Sequence, residues 1–572
     1  MKYIQVLVCL CAFALTGCGG DEPRSSGDPA SRGISDPTTA YRVASLGFPD
    51  APVDETTLRR HLETLASDDF EGRAPATSGG ERTRDYLINE AKRIGLKPGV
   101  GEGYEQTVPL VEVTLDPKQS EFTVDGEPLK YGDEAIYWTK RVVDAVAFDD
   151  SDMVFVGYGV VAPEYGWNDY EGLDVTGKTV VMLVNDPGFA TGDAALFNGR
   201  AMTYYGRWTY KYEEAARQGA AAAIIVHQTE PAAYGWSVIS GWMGPQLDLE
   251  RPDGGAGRTV LEGWITEEKA RSLFSSAGLD FDKQAQAALD RSFNPTPMGA
   301  LKASGKITNN IRRNQSANIA AVLPGAKRPD EFILYMAHWD HLGRNFGQPG
   351  GDSIANGAVD NATGTAGVLT IAEAFANNGV APDRSILFLF VTAEESGLLG
   401  SAYFGEAPIV PLAKIVGGVN IDAILPTPPA KDITVIGFGA SELETILERA
   451  ALRRGLYLRP DAQPEKGYFY RSDHISLAKK GVPMLYADSG IDLMEGGEEA
   501  GLAFSDDYTE NRYHKPADEY KVEWNVEGLT QTLGVLYEVG ADMAYSNDWP
   551  NWFEGNEFRA LRDAQRAAVA GG

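Results

Sequence analysis

Cysteine is nearly absent from this chain of 572 residues: there are three, Cys9, Cys11 and Cys18, all within the first 18 positions. Past Cys18 no disulfide can form, so stability must come from core burial and from any bound metal. Positive charge is also in short supply. Against 81 Asp and Glu stand 51 Lys and Arg, a formal net charge of −30, and no local basic patch interrupts the excess. Such a field repels phosphate backbones and anionic lipid surfaces, so nucleic acid is not an expected partner. Long hydrophobic runs are missing as well: beyond the first twenty residues nothing approaches the ~20 apolar positions of a spanning helix. No convincing internal repeat occurs. What remains, with 43% hydrophobic and 23% charged residues, has the composition of a globular protein, and its length implies two or three domains.

The opening residues "MKYIQVLVCLCAFALTGCGG" carry a basic Lys2, an apolar stretch from Ile4 to Leu15 and small residues before Cys18, the pattern of a secretory signal. Leu15-Thr16-Gly17-Cys18 also resembles a bacterial lipobox, which implies that Cys18 carries a lipid and that residues 1–18 are the signal. Residues 19–52 are rich in Gly, Ser, Pro and Asp without periodicity and read as a flexible tether. The expectation is an exported protein held to the cell envelope by the lipid alone.

Past the tether the texture changes. "RDYLINEAKRIGLKP" places Leu87, Ala91 and Ile94 on one helical face and stops at Gly95. Residues 125–300 read as short strands, such as "MVFVGYGV" and "TVVMLV", with one helix-to-strand unit, "YKYEEAARQGAAAAIIVH". After residue 315 apolar strands alternate with helices: "FILYMAHWDHLG", then "GTAGVLTIAEAFANNG" with Val368, Ile371, Ala372 and Phe375 on one face, then "SILFLFVTAEE" and "KIVGGVNID". Continuous apolar strands between helices indicate an α/β fold with a mostly parallel sheet covered on both faces. Chemistry in such sheets collects at the carboxyl ends of strands.

That rule selects His338 and Asp340 after one strand, Glu394 and Glu395 after another, Asp422 after a third, and Asp360 at a helix start. Singly, each has an ordinary explanation, a solvated loop residue or, for Asp360, an N-cap. Together, so many carboxylates on one partly desolvated rim would repel one another severely without a cation. A divalent metal is the simplest compensation, and His with Asp and Glu suits zinc. Of the six histidines, His338, His341, His474 and His514 fall in this half, whereas His61 and His227 read as helix and strand residues.

The ordered motifs "AHWDH", "GAVDNATG", "TAEESGLLGS", "VNIDA" and "YHKPADEY" resemble the di-zinc aminopeptidases of metallopeptidase family twenty-eight, which also includes glutamate carboxypeptidases, transferrin receptors and glutaminyl cyclases. The similarity runs from about residue 55 to 548 and opens on "HLETLASDDFEGRAPATSGG", which resembles the family's amino-terminal signature. The segment 125–300 resembles a protease-associated domain. The implied organisation is a zinc exopeptidase domain split over 53–124 and 301–548, the insert over 125–300, and a C-terminal extension over 549–572.

The resemblance implies two zinc ions, one held by His338 and Asp422, the other by Glu395 and His514, with Asp360 bridging. Two-metal sites keep their ions ~3.5–4 Å apart, so one carboxylate can serve both. Asp340 would hydrogen-bond the His338 imidazole and fix its tautomer. Tyr513 matches the position that stabilises the oxyanion. Adjacent residues at a strand end point in different directions, so one glutamate can ligate while the other faces the metal-bound water; the resemblance implies that Glu395 is the ligand and Glu394 the general base, whose task calls for a raised pKa. His341 reads as a surface residue or a support for a ligand. "YFYRSDHISLAKKGVPMLY" resembles the cleft-lining segment and offers Arg471, Asp473 and His474 as substrate-binding candidates, and the Gly-rich stretch 343–358 reads as a loop near the site mouth. The implied activity is removal of amino-terminal residues from peptides. A carboxypeptidase, for which Arg471 would supply the cation, a glutaminyl cyclase and a receptor-like binding protein are the alternatives.

Overall fold

Strand Arg384–Val391 accounts for the apolar run inside it. Ile386, Phe388 and Phe390 face one core, while Leu387, Leu389 and Val391 face another. Side chains alternate along a strand, so an unbroken apolar sequence requires cover on both faces, and each fully buried large side chain contributes roughly 1.5–3 kcal/mol. The computed structural model describes residues 53–241, 243–344 and 351–570. The signal, Cys18 and the tether lie outside the described residues.

Arg384–Val391 pairs in parallel with Arg328–His338, which pairs in parallel with Ile415–Asn420, which pairs in parallel with Met484–Ser489. The parallel register brings the carboxyl ends of the first three strands to one rim, and with them His338, the Glu394–Glu395 pair and Asp422. Helices Glu55–Leu65, Ser78–Ile94, Gly364–Asn377, Leu443–Arg453 and Glu527–Tyr545 cover one face. The other face is covered around Phe404 and Leu477. Helix Ser78–Ile94 begins with Thr77 accepting from the Gly80 N–H and ends at Gly95, whose φ of 91° lets its N–H reach the Ala91 and Lys92 carbonyls. Gly364–Asn377 was expected to bury one face, yet Gly364 to Ala372 are all buried, because helices Glu55–Leu65, Ser78–Ile94 and Glu527–Tyr545 all pack against it.

A second sheet lies within residues 125–300. Its strands Ala145–Phe155, Thr179–Leu183, Ala222–His227 and Leu261–Thr266 run parallel, with Ala135–Trp138 antiparallel at the edge. It has its own cores on its two faces. Three connections cross the domain limits expected from the sequence. Strand Thr296–Leu323 runs without a break through the 300/301 boundary; its first part pairs with the insert's Ala145–Phe155 and its last with Glu105–Leu115 and Arg384–Val391. Gln246–Leu249, from the middle of the insert, adds to Glu105–Leu115 as a strand of the peptidase-side sheet. Residues 549–570 are no appendage either: Trp552 is fully buried and donates Nε1–H to the Gly481 carbonyl, and the buried Arg562 donates to the carbonyls of Ile415 and Val416. None of these three joints has a local signature, since each rests on partners remote in sequence. No helix among the described residues is long and apolar enough to cross a membrane.

Candidate active site

Asp360 stands in an irregular segment, Ala358–Thr363, with φ −104° and ψ 97°, just ahead of helix Gly364–Asn377. The helix-capping role is taken by its neighbour: Asn361 Oδ1 accepts from the N–H groups of Gly364 and Ala423, and its Nδ2 donates to the Ile421 carbonyl. The Asp360 carboxylate is thereby free to face the rim. Its backbone is held from below by buried Asp518, which accepts from the Val359 and Asp360 N–H groups at 3.0 and 3.1 Å.

The two oxygens of Asp360 divide. Oδ1 lies 3.3 Å from His338 Nε2, and Oδ2 lies 3.2 Å from His514 Nε2. His338 Nε2 is also 3.1 Å from Asp422 Oδ1, and His514 Nε2 is 3.1 Å from Glu395 Oε2. Ser472 donates its hydroxyl to the other oxygen of Asp422. His338 Nδ1 donates to the Asp340 carbonyl at 3.1 Å, so Nε2 is left to point at two carboxylates. An electron pair aimed at two anions requires a positive charge between them, supplied either by a second ring proton or by a metal ion. His338, Asp360 and Asp422 bring ligand atoms within 4.8 Å of one another, as do His341, Asp360 and Glu395. The donor set, two imidazoles and three carboxylates with a shared Asp, fits a pair of zinc ions.

Electrostatics separate the adjacent glutamates. Burial pushes Glu394 well above the usual carboxylate range, and the charges of Glu395, Asp422 and Asp473 push the same way. Burial also works on Glu395, but the imidazoles of His514 and His341 overcome it and hold this carboxyl down to about 2. The same neighbourhood therefore biases Glu394 toward holding a proton and Glu395 toward the anion. Burial raises Tyr513 well above its ordinary value, keeping its hydroxyl a donor, and its ring stacks on His514 at 3.8 Å between centroids.

Several expected residues stand elsewhere than the sequence suggested. The Asp340 carboxylate is 3.9 Å from His338 Nδ1, outside hydrogen-bond range; its backbone carbonyl orients the ring, while its Oδ1 accepts from the Glu394 N–H at 3.1 Å. Asp473 and His474 are fully buried, not on a cleft surface: Ser401 donates to Asp473 at 2.5 Å, and His474 packs between Phe469 and Tyr486. Arg471 is half-buried, lies over Tyr468 and is within electrostatic reach of Tyr513 and Glu394. His61 and His227 are buried and bonded to Tyr86 and Tyr234, as ordinary core residues are. The ends of the 343–358 stretch form a short hairpin, with Gly343 opposite Ala355; residues 345–350 lie outside the described residues.

Sequence reasoning overlooked Asp518, though it stands in "YHKPADEY", and Arg73, in "EGRAPATSGG". Arg73 is 1% exposed and donates to the carbonyls of Leu65, Trp339, Asn356 and Gly357, tying the amino-terminal segment to both rim loops. Burial lowers its pKa to about 10 while Asp518 and Asp360 oppose the shift. Arg73→Met is expected to destabilise the protein by several kcal/mol, because four buried carbonyls lose their donor and each costs about 1–3 kcal/mol when left unsatisfied. Urea unfolding of the metal-free protein checks this, and an unchanged midpoint would refute the scaffold role.

The model of Peptidase family M28 matches residues 318–534, a span that contains every rim residue named above. Aminopeptidase NAALADL1 of Mus musculus is 31% identical over 135 residues, 22% of this chain and 16% of that protein. Leucine aminopeptidase 2 of Arthroderma otae is 27% identical over 233 residues, 37% of this chain and 44% of that protein. Leupeptin-inactivating enzyme 1 of Streptomyces exfoliatus is 30% identical over 152 residues, 26% of this chain and 33% of that protein. The chain thus spans less than half the length of these curated relatives. Among solved structures, an aminopeptidase from Aneurinibacillus sp. strain AM-1 is similar in fold, with a TM-score of 0.50 at 18% identity over 87% of this chain and 96% of its own.

Proposed function

Residues 318–534 carry a peptidase family M28 domain, and from that premise we propose that the chain is a zinc-dependent aminopeptidase acting on peptides. The observation that carries the reading is the division of Asp360, one oxygen toward His338 and the other toward His514. His338 and Asp422 would hold one zinc, Glu395 and His514 the other, and Asp360 would serve both. Bound there, zinc polarises the scissile carbonyl and acidifies a water molecule. The chain's own groups do the rest. Glu394, whose proton affinity burial raises, would as the carboxylate receive the proton of the attacking water and, as the acid so formed, pass it to the leaving amine. The Tyr513 hydroxyl donates to the oxyanion as it develops. Carboxylate charge that the metal does not offset would attract the substrate's α-ammonium.

The insert, read as a protease-associated domain, would wall one side of the cleft. It docks there through the Met202 N–H on the Pro464 carbonyl and through Lys479, which lies over Tyr204 and 3.5 Å from Glu213. Export and anchoring through Cys18 belong to the same reading.

One observation favours a second reading, a carboxypeptidase. At this seam the Nε of Arg207 is buried without a hydrogen-bond partner among the described residues, and Arg471 is within electrostatic reach of it. Two guanidinium groups could receive a substrate carboxylate.

Zinc content tests the main reading. Two zinc ions per chain are expected, with peptide hydrolysis lost on chelation and restored by zinc. Because the metals bind only the folded chain, a chelator should also lower the melting temperature. Active protein free of transition metal would sink the proposal.

A further inference from the structure

His341 was expected to be a support for a ligand or a surface residue, and the structure buries it, at 1% exposure, within the second metal cluster. Its Nδ1 lies 2.5 Å from Glu395 Oε1. A carboxylate can only accept, so Nδ1 carries the proton and donates it to Oε1 in a charge-assisted hydrogen bond. The other oxygen, Oε2, is the one that faces His514. Glu395 is therefore stretched between two imidazoles, one on each oxygen.

The far side of the His341 ring is fixed by backbone. A Cβ placed on Gly357 would come within 2.5 Å of His341 Cγ and Cδ2, so the chain at 357 lies against the imidazole and can do so only without a side chain. Gly357 also has a φ of 55°, a conformation that favours glycine. The same residue leads into the segment that carries Asp360. His341 thus sits wedged between the Asp360 segment and Glu395, the two carboxylates of one metal position. Its Nε2 is buried with no hydrogen-bond partner among the described residues. A ring kept in place with one nitrogen unpaired is being kept for the other.

We infer that His341 is a positioning residue: by holding Oε1 of Glu395 it leaves only Oε2 for the second metal, and so sets the affinity of that position. The inference rests on the two-zinc reading above. An untethered glutamate could swing both oxygens onto the ion or rotate away from it. With Oε1 held by His341, the carboxylate would offer a metal one oxygen in one direction. Direct ligation by His341 is the less favoured arrangement, because Nδ1 is spent on Glu395, whereas His514 Nε2 already faces both Glu395 and Asp360.

The test is zinc titration of the metal-free protein against a competing chromophoric chelator, resolving the two dissociation constants in the wild type, His341→Leu and His341→Asn. Leu keeps the volume of the side chain and removes the donor; Asn places an amide N–H near the former Nδ1. In His341→Leu one constant should rise about 10–100-fold, the usual effect of losing an outer partner of a ligand, and the other should stay as in the wild type. His341→Asn should bring the altered constant back to near the wild-type value. Melting of the metal-free variants reports whether each has folded, and His341→Asn carries the comparison if His341→Leu has not. Two unchanged constants in folded His341→Leu would overturn the inference, leaving only a packing role. Equal weakening in folded His341→Asn and His341→Leu would overturn it in favour of direct ligation. A wild type that binds fewer than two ions would instead bring down the two-zinc reading itself.

Discussion

Glu394→Gln is expected to lower turnover by about 10² to 10⁴-fold, the range of general acid–base catalysis, while zinc content stays near two ions per chain. That loss corresponds to about 2.7–5.4 kcal/mol of transition-state stabilisation. The amide keeps the size of the side chain and can still hydrogen-bond, but it cannot take a proton from water. Glu395→Gln should behave differently. Its carboxyl is held down to about 2 by the imidazoles beside it, so removing its charge should empty one metal position before it slows any chemistry. Metal analysis of the two purified variants, alongside steady-state rates, separates the roles. A Glu394→Gln protein without zinc beside a fully loaded Glu395→Gln protein would reverse the assignment.

The second large effect concerns the end of the peptide that is cut. Asp360, Glu394, Glu395 and Asp422 gather at one rim, with Asp473 buried behind them, and whatever part of their charge the bound metal does not offset favours a free α-ammonium in a cleft of low dielectric. Arg471 and Arg207 oppose it from the seam with the insert. One peptide in three forms, free at both ends, acetylated at the amino end and amidated at the carboxyl end, decides between them. Acetylation is expected to abolish cleavage and amidation to leave it nearly unchanged, with residues released one at a time from the amino end. The reverse pattern would mean that the two arginines, not the acidic rim, select the substrate, and the carboxypeptidase reading would replace the present one.

Much of the scaffold was legible because its signals are local. The continuous apolar run of Arg384–Val391 and the Gly95 stop of helix Ser78–Ile94 lie in consecutive residues, where hydrophobic patterning and capping operate. The rim was legible for a similar reason: parallel strands between helices place their carboxyl ends together, so His338, Glu394, Glu395 and Asp422 could be grouped before any coordinates. The domain limits were less legible. A strand as long as Thr296–Leu323 serves two sheets in turn, and nothing within its own sequence marks where one partner gives way to the next.

By itself, then, the sequence determined the element types, the order of the motifs and the kind of chemistry that an excess of carboxylate around histidine demands. Tertiary structure decided which atom of each residue does the work. Asp340 orients His338 through its carbonyl rather than its carboxylate. Asn361 takes the capping role and frees Asp360 for the rim. Arg73 braces loops more than 260 residues away along the chain. His341 meets Glu395 across 54 residues. The physical reason is the same in all four cases. Local propensity depends on neighbours a few residues apart, but the direction of a polar side chain in a buried site depends on which donors and acceptors the fold brings to it, and those come from strands and loops that only packing puts side by side.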